Sequence, residues 1–464
     1  MVRGFQHYGT EKAPFVLPLY TDYEPPFSLQ RLVNIFPEKQ GQQAQKSAIY
    51  RKCEGYSFWL GLNLGVILAH HVFKGFLYIA TATKLLKIAP DQTFEVISEI
   101  AGADVIQIDN TASLLVMRID SAIYTHTTDA LDDLVQITDP DLQPSDFIRV
   151  LNNYVFSAIQ GEEGQFQFSD FNTPSNYDAL NFATAEYRAD RLNAIIDVRN
   201  EFILFGDTSI EFWAVVGGND VVRPRNVASN YGCKSPKTIK RIGDQLFFLG
   251  VNPLNNQNSV YILNGYSPQD ITSAHVRKVL TGVDVSDAYA YTHIEQGYEF
   301  YTIVIPDVCA YSYCMRLDTW IERRSWDKNI GGFKNDVDVV DVFSFANKTL
   351  CYEKELGSLF ALGGEKEADN LMPWEIITPY VTQKPKRTPI KEIELDVQSG
   401  AGNIEMSFSR DDGRTWSNGD WRQAPEYGQE NTPMIWRRIG SPIRAAFRFR
   451  GYGLANITGG YIGS

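Results

Sequence analysis

Metal-binding and redox signatures are scarce in this 464-residue chain. It has six histidines and five cysteines, and Cys53, Cys233, Cys309, Cys314 and Cys351 form no C-x-x-C pair and no Cys/His cluster. An odd, scattered set fits buried free thiols in a reducing cytoplasm rather than a disulfide framework, with a Cys309–Cys314 hairpin pair as the alternative. The Met1 end shows no basic-then-apolar leader, so no secretion signal is expected. Long apolar runs are also absent. The longest, "SFWLGLNLGVILAHHVF" (57–73), contains Asn63, two glycines and two histidines and stops at Lys74, short of the ~20 residues a membrane span needs. It reads as buried strands. No P-loop, G-x-G-x-x-G, G-x-S-x-G or EF-hand spacing occurs.

The chain is also short of positive charge. Its net charge is −13; residues 382–464 carry 12 Lys and Arg against nine Asp and Glu, or +3, which leaves −16 for residues 1–381. An acidic body argues against tight nucleic-acid binding, which needs cations to displace counterions from phosphates. It is compatible with a surface that DNA passes without adhering.

Strands are abundant. Hydrophobic residues make up 44% of the chain and aromatics 13%, ample for a large core. Hairpin-like units recur along it, among them "GFLYIATATKLLKIA" (75–89), "SLLVMRIDSAIYTHT" (113–127) and "VLNNYVFSAIQGEEGQFQFSD" (150–170). Tyr78, Val116, Val155, Phe202, Phe247, Phe300 and Leu350 mark comparable points, at steps of 38, 39, 47, 45, 53 and 50 residues. In an all-β chain this period predicts four-stranded propeller blades. Seven units point to seven blades, with six plus an embellishment as the alternative and stacked β-sandwiches as the rival fold. Helix signals are weak. Residues 131–151 offer a turn or two, and 271–290 a short helix capped by Thr272 or Ser273.

Four segments follow from this reading. Residues 1–52, with several prolines, form an N-terminal arm; 53–364 form the β-propeller; 365–389, with four prolines and the basic Lys384-Pro-Lys386-Arg387, connect. Residues 390–464 alternate as a compact, sandwich-like β domain.

That last domain holds "SFSRDDGRTWS" (407–417), in which Ser409, Asp411, Gly413, Thr415 and Trp416 form an Asp box. The pattern builds a tight turn: side-chain oxygens accept loop N–H groups, glycine takes positive φ, and the indole covers the loop. A sialidase would repeat the box across blades and show an early Arg-Ile-Pro motif. Neither occurs, so the box reads as structure. A glycosidase also needs two carboxylates across a cleft. The acidic groups available are Glu162/Glu163, Asp139/Asp141/Asp146 and Asp336/Asp338/Asp341, all at positions suited to solvated loops. His70 and His71 are adjacent in a strand and so face opposite ways, a poor geometry for one metal. The chain is therefore read as having no catalytic, cofactor or metal residues. Lys384, Lys386, Arg387, Arg437 and Arg438 are candidate partner contacts, against the alternative of a solvated basic face.

Several stretches, taken in order, resemble the tail hub or nozzle proteins of short-tailed phages, also called packaged-DNA stabilisation proteins. "QFQFSDFNTPSNYDALNFATAEYRADRLNAIIDVRNEFILFGDTSIEFWAVVGG" (165–218) is similar in the order Ser-Asp, Phe-Ala-x-Ala-Glu, then Phe-Gly-x-x-x-Ile-Glu-x-Trp. "GDQLFFLG…NSVYILNGY" (243–266) resembles the blade that follows. Residues 393–450, with the Asp box and Trp436-Arg437-Arg438-x-Gly440, resemble the family's closing domain. The likeness runs from about Val150 to the C-terminus, with "RLVNIFPE" a fainter echo and the segment before Val150 diverging. It implies a structural virion protein, assembled in the bacterial cytoplasm and resident in the tail. Six copies would ring below the portal and head-to-tail adaptor, extend the DNA conduit and retain the genome until ejection. A needle or plug would close the far end, with fibres or spikes at the sides. Six copies at −13 would carry about −78, a repulsive field for passing DNA. The alternatives are a glycan- or receptor-binding propeller, with Trp59, Trp213, Trp320 and Trp326 as platforms, and a sialidase-like glycosidase.

Overall fold

The computed structural model describes residues 10–12, 21–25, 27–39, 48–127, 134–198, 201–218, 221–355, 357–368, 370–380, 387, 389–398, 402–426, 429, 433–453 and 456–463. Among these, seven four-stranded antiparallel units follow one another. Blade 1 comprises Ile67–Phe73, Phe76–Thr81, Lys84–Ile88 and Phe94–Glu99. Blades 2 to 6 begin at Ile106–Asn110, Ser145–Leu151, Leu192–Val198, Lys240–Ile242 and Tyr289–Glu295. Blade 7 comprises Val339–Phe345, Lys348–Glu353, Ser358–Leu362 and an early strand, Tyr56–Gly61. That strand pairs antiparallel with Ser358–Leu362, Leu362 facing Tyr56 and Ser358 facing Gly61, so the beginning of the propeller locks its end.

The period predicted from sequence has a physical origin here. All seven marker residues, from Tyr78 to Leu350, lie in the second strand of their blade and are fully buried. Successive side chains of such a strand point to opposite faces, and both faces are covered. Leu77 and Ile79 pack towards blade 7, while Tyr78 and Ala80 pack towards blade 2. Apolar clusters occupy every junction in turn: 1–2, 2–3, 3–4, 4–5, 5–6, 6–7 and 7–1. The ring is closed by packing as well as by strand pairing.

A two-sheet sandwich abuts blades 6 and 7. One sheet orders Ile35–Lys39, Ala48–Lys52, Asn456–Gly463, Ile390–Val397 and Met434–Gly440; Pro37 sits on its edge strand, where no ladder N–H is lost. The other orders Ser28–Val33, Trp374–Ile377, Ala446–Gly451, Asn403–Ser409 and Asp420–Gln423. Between them lie Trp374, Trp436, Tyr50 and Phe36. Residues 28–39 and 48–52, read from sequence as part of an N-terminal arm, contribute three sandwich strands. The expected connector contains a fourth, Trp374–Ile377. Sequence alternation marks a strand but not its partner, which lies some 340 residues away.

Two smaller expectations divide. The helix signal in 271–290 becomes Ala274–Leu280 between blades 5 and 6, and Ser273 Oγ accepts the Val276 N–H at 3.2 Å. The helical turn expected in 131–151 does not form among the described residues, because Leu134–Gln136 completes blade 2 and Ser145–Leu151 opens blade 3. Pro140 and Pro144 occupy the connection between them. All five cysteines are buried and free, and Cys309 and Cys314 end one and the same strand, so they do not face each other across a hairpin.

Candidate functional site: the propeller axis, the domain seam and the basic edge

The first strands of the blades surround the propeller axis, and their polar side chains fill it. Lys240 of blade 5 donates to Asp341 of blade 7 at 2.8 Å, reaching past blade 6. His70 of blade 1 stacks on Phe343 of blade 7, ring centroids 4.0 Å apart. Burial there pushes its pKa down to about 4, so the imidazole is neutral at physiological pH. His71, on the opposite side of the strand, meets Asn110 Oδ1 at 2.7 Å. Arg149 of blade 3 bridges Asp109 of blade 2 and Asp197 of blade 4. With ions paired across it at this spacing, the axis has no bore for a nucleic-acid duplex.

A second network locks the propeller to the sandwich. Val33 pairs in parallel with Glu322, so blade 6 and one sandwich sheet form a single continuous sheet. Arg31 grips the buried Glu322 carboxylate in a two-pronged contact, Nε at 2.6 Å and Nη2 at 2.9 Å. Arg324 Nε adds a bond of 2.6 Å to the same carboxylate. Burial acts to raise the Glu322 pKa, but the arginines outweigh it and hold it below the usual carboxylate range. Asn34, in left-handed conformation at φ 54°, donates to the carbonyls of Arg324 (2.8 Å) and Pro373 (3.0 Å). Beside it Arg323, Glu295 and His293 form a wholly buried cluster, with Arg323 Nη2 2.6 Å from Glu295. Glu295 also accepts the Glu54 N–H at 2.7 Å, which ties in the entry to blade 7's closing strand.

The acidic groups do not converge. Asp341 is taken by Lys240, Asp338 by Lys334 at 2.8 Å, and Asp336 by Lys354. Asp146 pairs with Arg191 at 2.9 Å, Asp139 accepts the Asp141 N–H at 2.9 Å, and Glu162 and Glu163 are exposed on a turn. Among the described residues no three His, Cys, Asp or Glu are grouped to hold a metal ion. Nor do the tryptophans make a platform. Trp59, Trp213 and Trp320 are buried, and Trp326 packs edge-on against Phe333 and Tyr452.

The Asp box is a complete turn. Ser409 Oγ accepts the Gly413 N–H at 2.9 Å; Asp411 accepts the Thr415 N–H at 2.9 Å and its hydroxyl at 2.6 Å. The Thr415 bonds hold the Asp411 pKa below its ordinary value. Gly413 has φ 76°, and its Cα faces the Leu29 side chain so closely that a Cβ would meet Leu29 Cδ2 at 3.0 Å. Arg448 lies 4.6 Å from the Trp416 ring centre. The Ser409, Asp411 and Thr415 side chains all bond within their own loop. Of the basic candidates, Arg437 is exposed and pairs with Glu392 at 3.0 Å, Arg438 is exposed in left-handed conformation at φ 67°, and Arg387 is exposed in the connection. Lys384 and Lys386 lie outside the described residues. What the sequence reading missed is the seam: Arg31, Asn34, Glu295, Glu322 and Arg323 carry no local pattern.

Two family profiles cover nearly the whole chain: "Bacteriophage P22 Gp10, beta-propeller" over residues 19–363 and "Bacteriophage P22 Gp10, beta-sandwich" over 373–461. The protein belongs to the P22 Gp10 family. It is a structural protein of the phage tail, of the kind that stabilises packaged DNA. No curated protein matches it by sequence. Solved structures similar to it include the N-terminal domain of Nup159 (12% identity, 72% of this chain and 99% of that one, TM-score 0.42). The Neurospora crassa Pan2 WD40 domain is 10% identical over 65% of this chain and 90% of its own, TM-score 0.41. An extracellular domain of the B. thetaiotaomicron one-component system BT4673 is 10% identical over 81% and 48%, TM-score 0.44. At these scores the likenesses carry nothing about the role of a P22 Gp10 family member.

Proposed function

We propose that this family member is a ring-forming wall of the tail conduit, six copies in number, seated below the portal and adaptor, and that it is not an enzyme. A needle or plug at the far end and fibres or spikes at the sides are its expected partners, and DNA passes without specific binding. The observation that carries this reading is the Lys240–Asp341 pair across the axis. A propeller filled at its centre leaves DNA only the space enclosed by several copies. The −16 charge of residues 1–381 suits a wall past which phosphates slide, since each cation offered to the duplex would add adhesion. Pairing of Asp146, Asp336, Asp338 and Asp341 each with its own lysine or arginine supports a non-enzymatic role. We divide the chain into a propeller unit of 53–364 and a sandwich drawing on residues 28–39 and 48–52 as well as the strands from Trp374 onward, with Arg387, Arg437 and Arg438, and with them Lys384 and Lys386, offered to neighbouring proteins. The test is the particle mass and negative-stain image of purified protein, alone and with the portal–adaptor complex. A ring with a central opening wide enough for a duplex is expected; a monomer in both settings overturns the reading.

A further inference from the structure

The outer strands of blades 3 and 4 carry wider bulges than the single-residue shifts in blades 1 and 7. In blades 2, 5 and 6 the outer strand pairs in unbroken register. In blade 3, Gln167 faces Phe182 while Ser169 faces Tyr177, so Asp178–Asn181 bulges outward. In blade 4, Glu211 faces Ala228 while Trp213 faces Pro224, which throws out Arg225–Val227 with Asn226 at φ 56°. Bulges re-aim side chains and block continued sheet pairing. Between these two lies a groove of about 740 Å³ floored by Trp213 and Phe212 and walled by Phe182, Tyr187 and Pro224. Leu180 on the blade 3 bulge is 81% exposed, Phe182 51% and Tyr187 47%. Large apolar side chains gathered this way mark an interaction surface.

Three observations select the occupant. Blades 4 and 5 separate the groove from blade 6 in one direction, and blades 3, 2 and 1 separate it from blade 7 in the other, so it faces away from the sandwich that those blades carry. A ring of identical copies needs complementary surfaces at opposite ends of each protomer. Among the described residues the blade 3 side of the groove is acidic, with Glu162, Glu163, Asp178 and Glu186 exposed and in no ion pair, while Arg191 and Arg225 are paired with Asp146 and Glu201 and Arg188 donates to Asn230; Arg223 and Arg225 are exposed on the blade 4 strand. Residues 382–464 carry +3 and residues 1–381 carry −16, so contact between propellers of two copies would set −16 against −16, and propeller against sandwich would not. Finally, the sandwich presents two neighbouring edge strands, Asp420–Gln423 and Met434–Gly440, joined by the Trp436 Nε1–Asp420 carbonyl bond of 2.8 Å. They expose Trp421 and Arg438, together with Arg422 and Arg437, which pair with Asp420 and Glu392, and tryptophan and arginine are the residues that anchor interfaces.

We propose that the groove between blades 3 and 4 receives the sandwich edge formed by Asp420–Gln423 and Met434–Gly440 of a second copy, and that this heterologous contact, repeated, closes the ring. The inference rests on the ring reading above. The test uses full-length protein, with mass measured by sedimentation alone and on the portal–adaptor complex, and folding checked by circular dichroism. Leu180→Asp and Phe182→Asp, both at exposed side chains, are expected to keep the spectrum and weaken association by about tenfold or more. Asp178→Arg with Glu186→Arg is expected to weaken it similarly, as is Arg422→Glu with Arg438→Glu, and combining the four is expected to recover most of the loss. Groove variants that assemble as wild type overturn this surface while leaving the ring intact. Weakened groove variants without recovery in the combined variant overturn the sandwich edge as occupant. Wild-type protein that is monomeric in both settings overturns the ring reading itself, and this contact with it.

Discussion

Lys240 Nζ and Asp341 Oδ2 stand 2.8 Å apart although they belong to blades 5 and 7, which share no edge. A pair that reaches past an intervening blade can exist only where the first strands converge. It shows that the pseudo-rotational centre of this propeller is filled.

Lys240→Met is therefore expected to leave DNA retention and ejection by assembled particles unchanged while lowering the stability of the isolated protein. Both side chains are about a quarter exposed, so the loss should be modest, about 1–2 kcal/mol in chemical denaturation. Genome leakage from otherwise intact Lys240→Met particles would place the DNA path through the propeller.

The seam should be far less tolerant. Arg31→Ala leaves the Glu322 carboxylate buried with one fewer cation, a change that typically costs about 3–5 kcal/mol. Arg31→Lys is expected to recover only part of this, because an ammonium cannot reproduce the two-pronged grip. Denaturant titration of the two variants beside wild type checks both statements.

The pH dependence has a specific source in Glu367, buried between Ser325 and the Trp326 N–H. Burial pushes its carboxyl up to about 7, and the Ser325 bond only partly opposes that. The folded protein thus holds a proton that the unfolded chain releases near pH 4.5. Stability conferred by this group is full below about 4.5 and declines as pH rises to about 7. Glu367→Gln should flatten that window and raise stability at pH 8 by up to about 3 kcal/mol, read as a higher melting temperature. A melting profile from pH 4.5 to 8 that keeps its slope in the variant counts against this assignment.

Glu295 behaves in the opposite sense. Burial acts to raise its pKa, but Arg323 and the His293 bond prevail and hold it down to about 2. Its contribution is complete above the unfolded value near 4.5 and is lost as pH falls towards 2. Glu295→Gln is expected to remove part of the acid-unfolding slope between those limits and to destabilise the protein at neutral pH, as followed by tryptophan fluorescence.

In the Asp box, Asp411→Ala removes the acceptor of both Thr415 bonds. Faster amide exchange at Thr415 is expected, confined to that loop, with no activity towards fluorogenic sialosides before or after the change.

Much of this molecule was legible in residue order. Runs such as Leu77-Tyr78-Ile79-Ala80, apolar on both faces, announce strands enclosed on both sides, and their spacing announces repeated blades. The Asp box was equally readable, because a turn that satisfies its own loop needs no distant partner. The folded structure alone decided that Tyr56–Gly61 closes blade 7, that Ser28–Val33, Ile35–Lys39 and Ala48–Lys52 belong to the sandwich, and that Lys240 finds Asp341. Strand period, turn chemistry and burial are local properties and leave their trace in neighbouring residues. Pairing between strands hundreds of residues apart leaves none, since any alternating segment can complete any open edge until closure of the ring determines which one does.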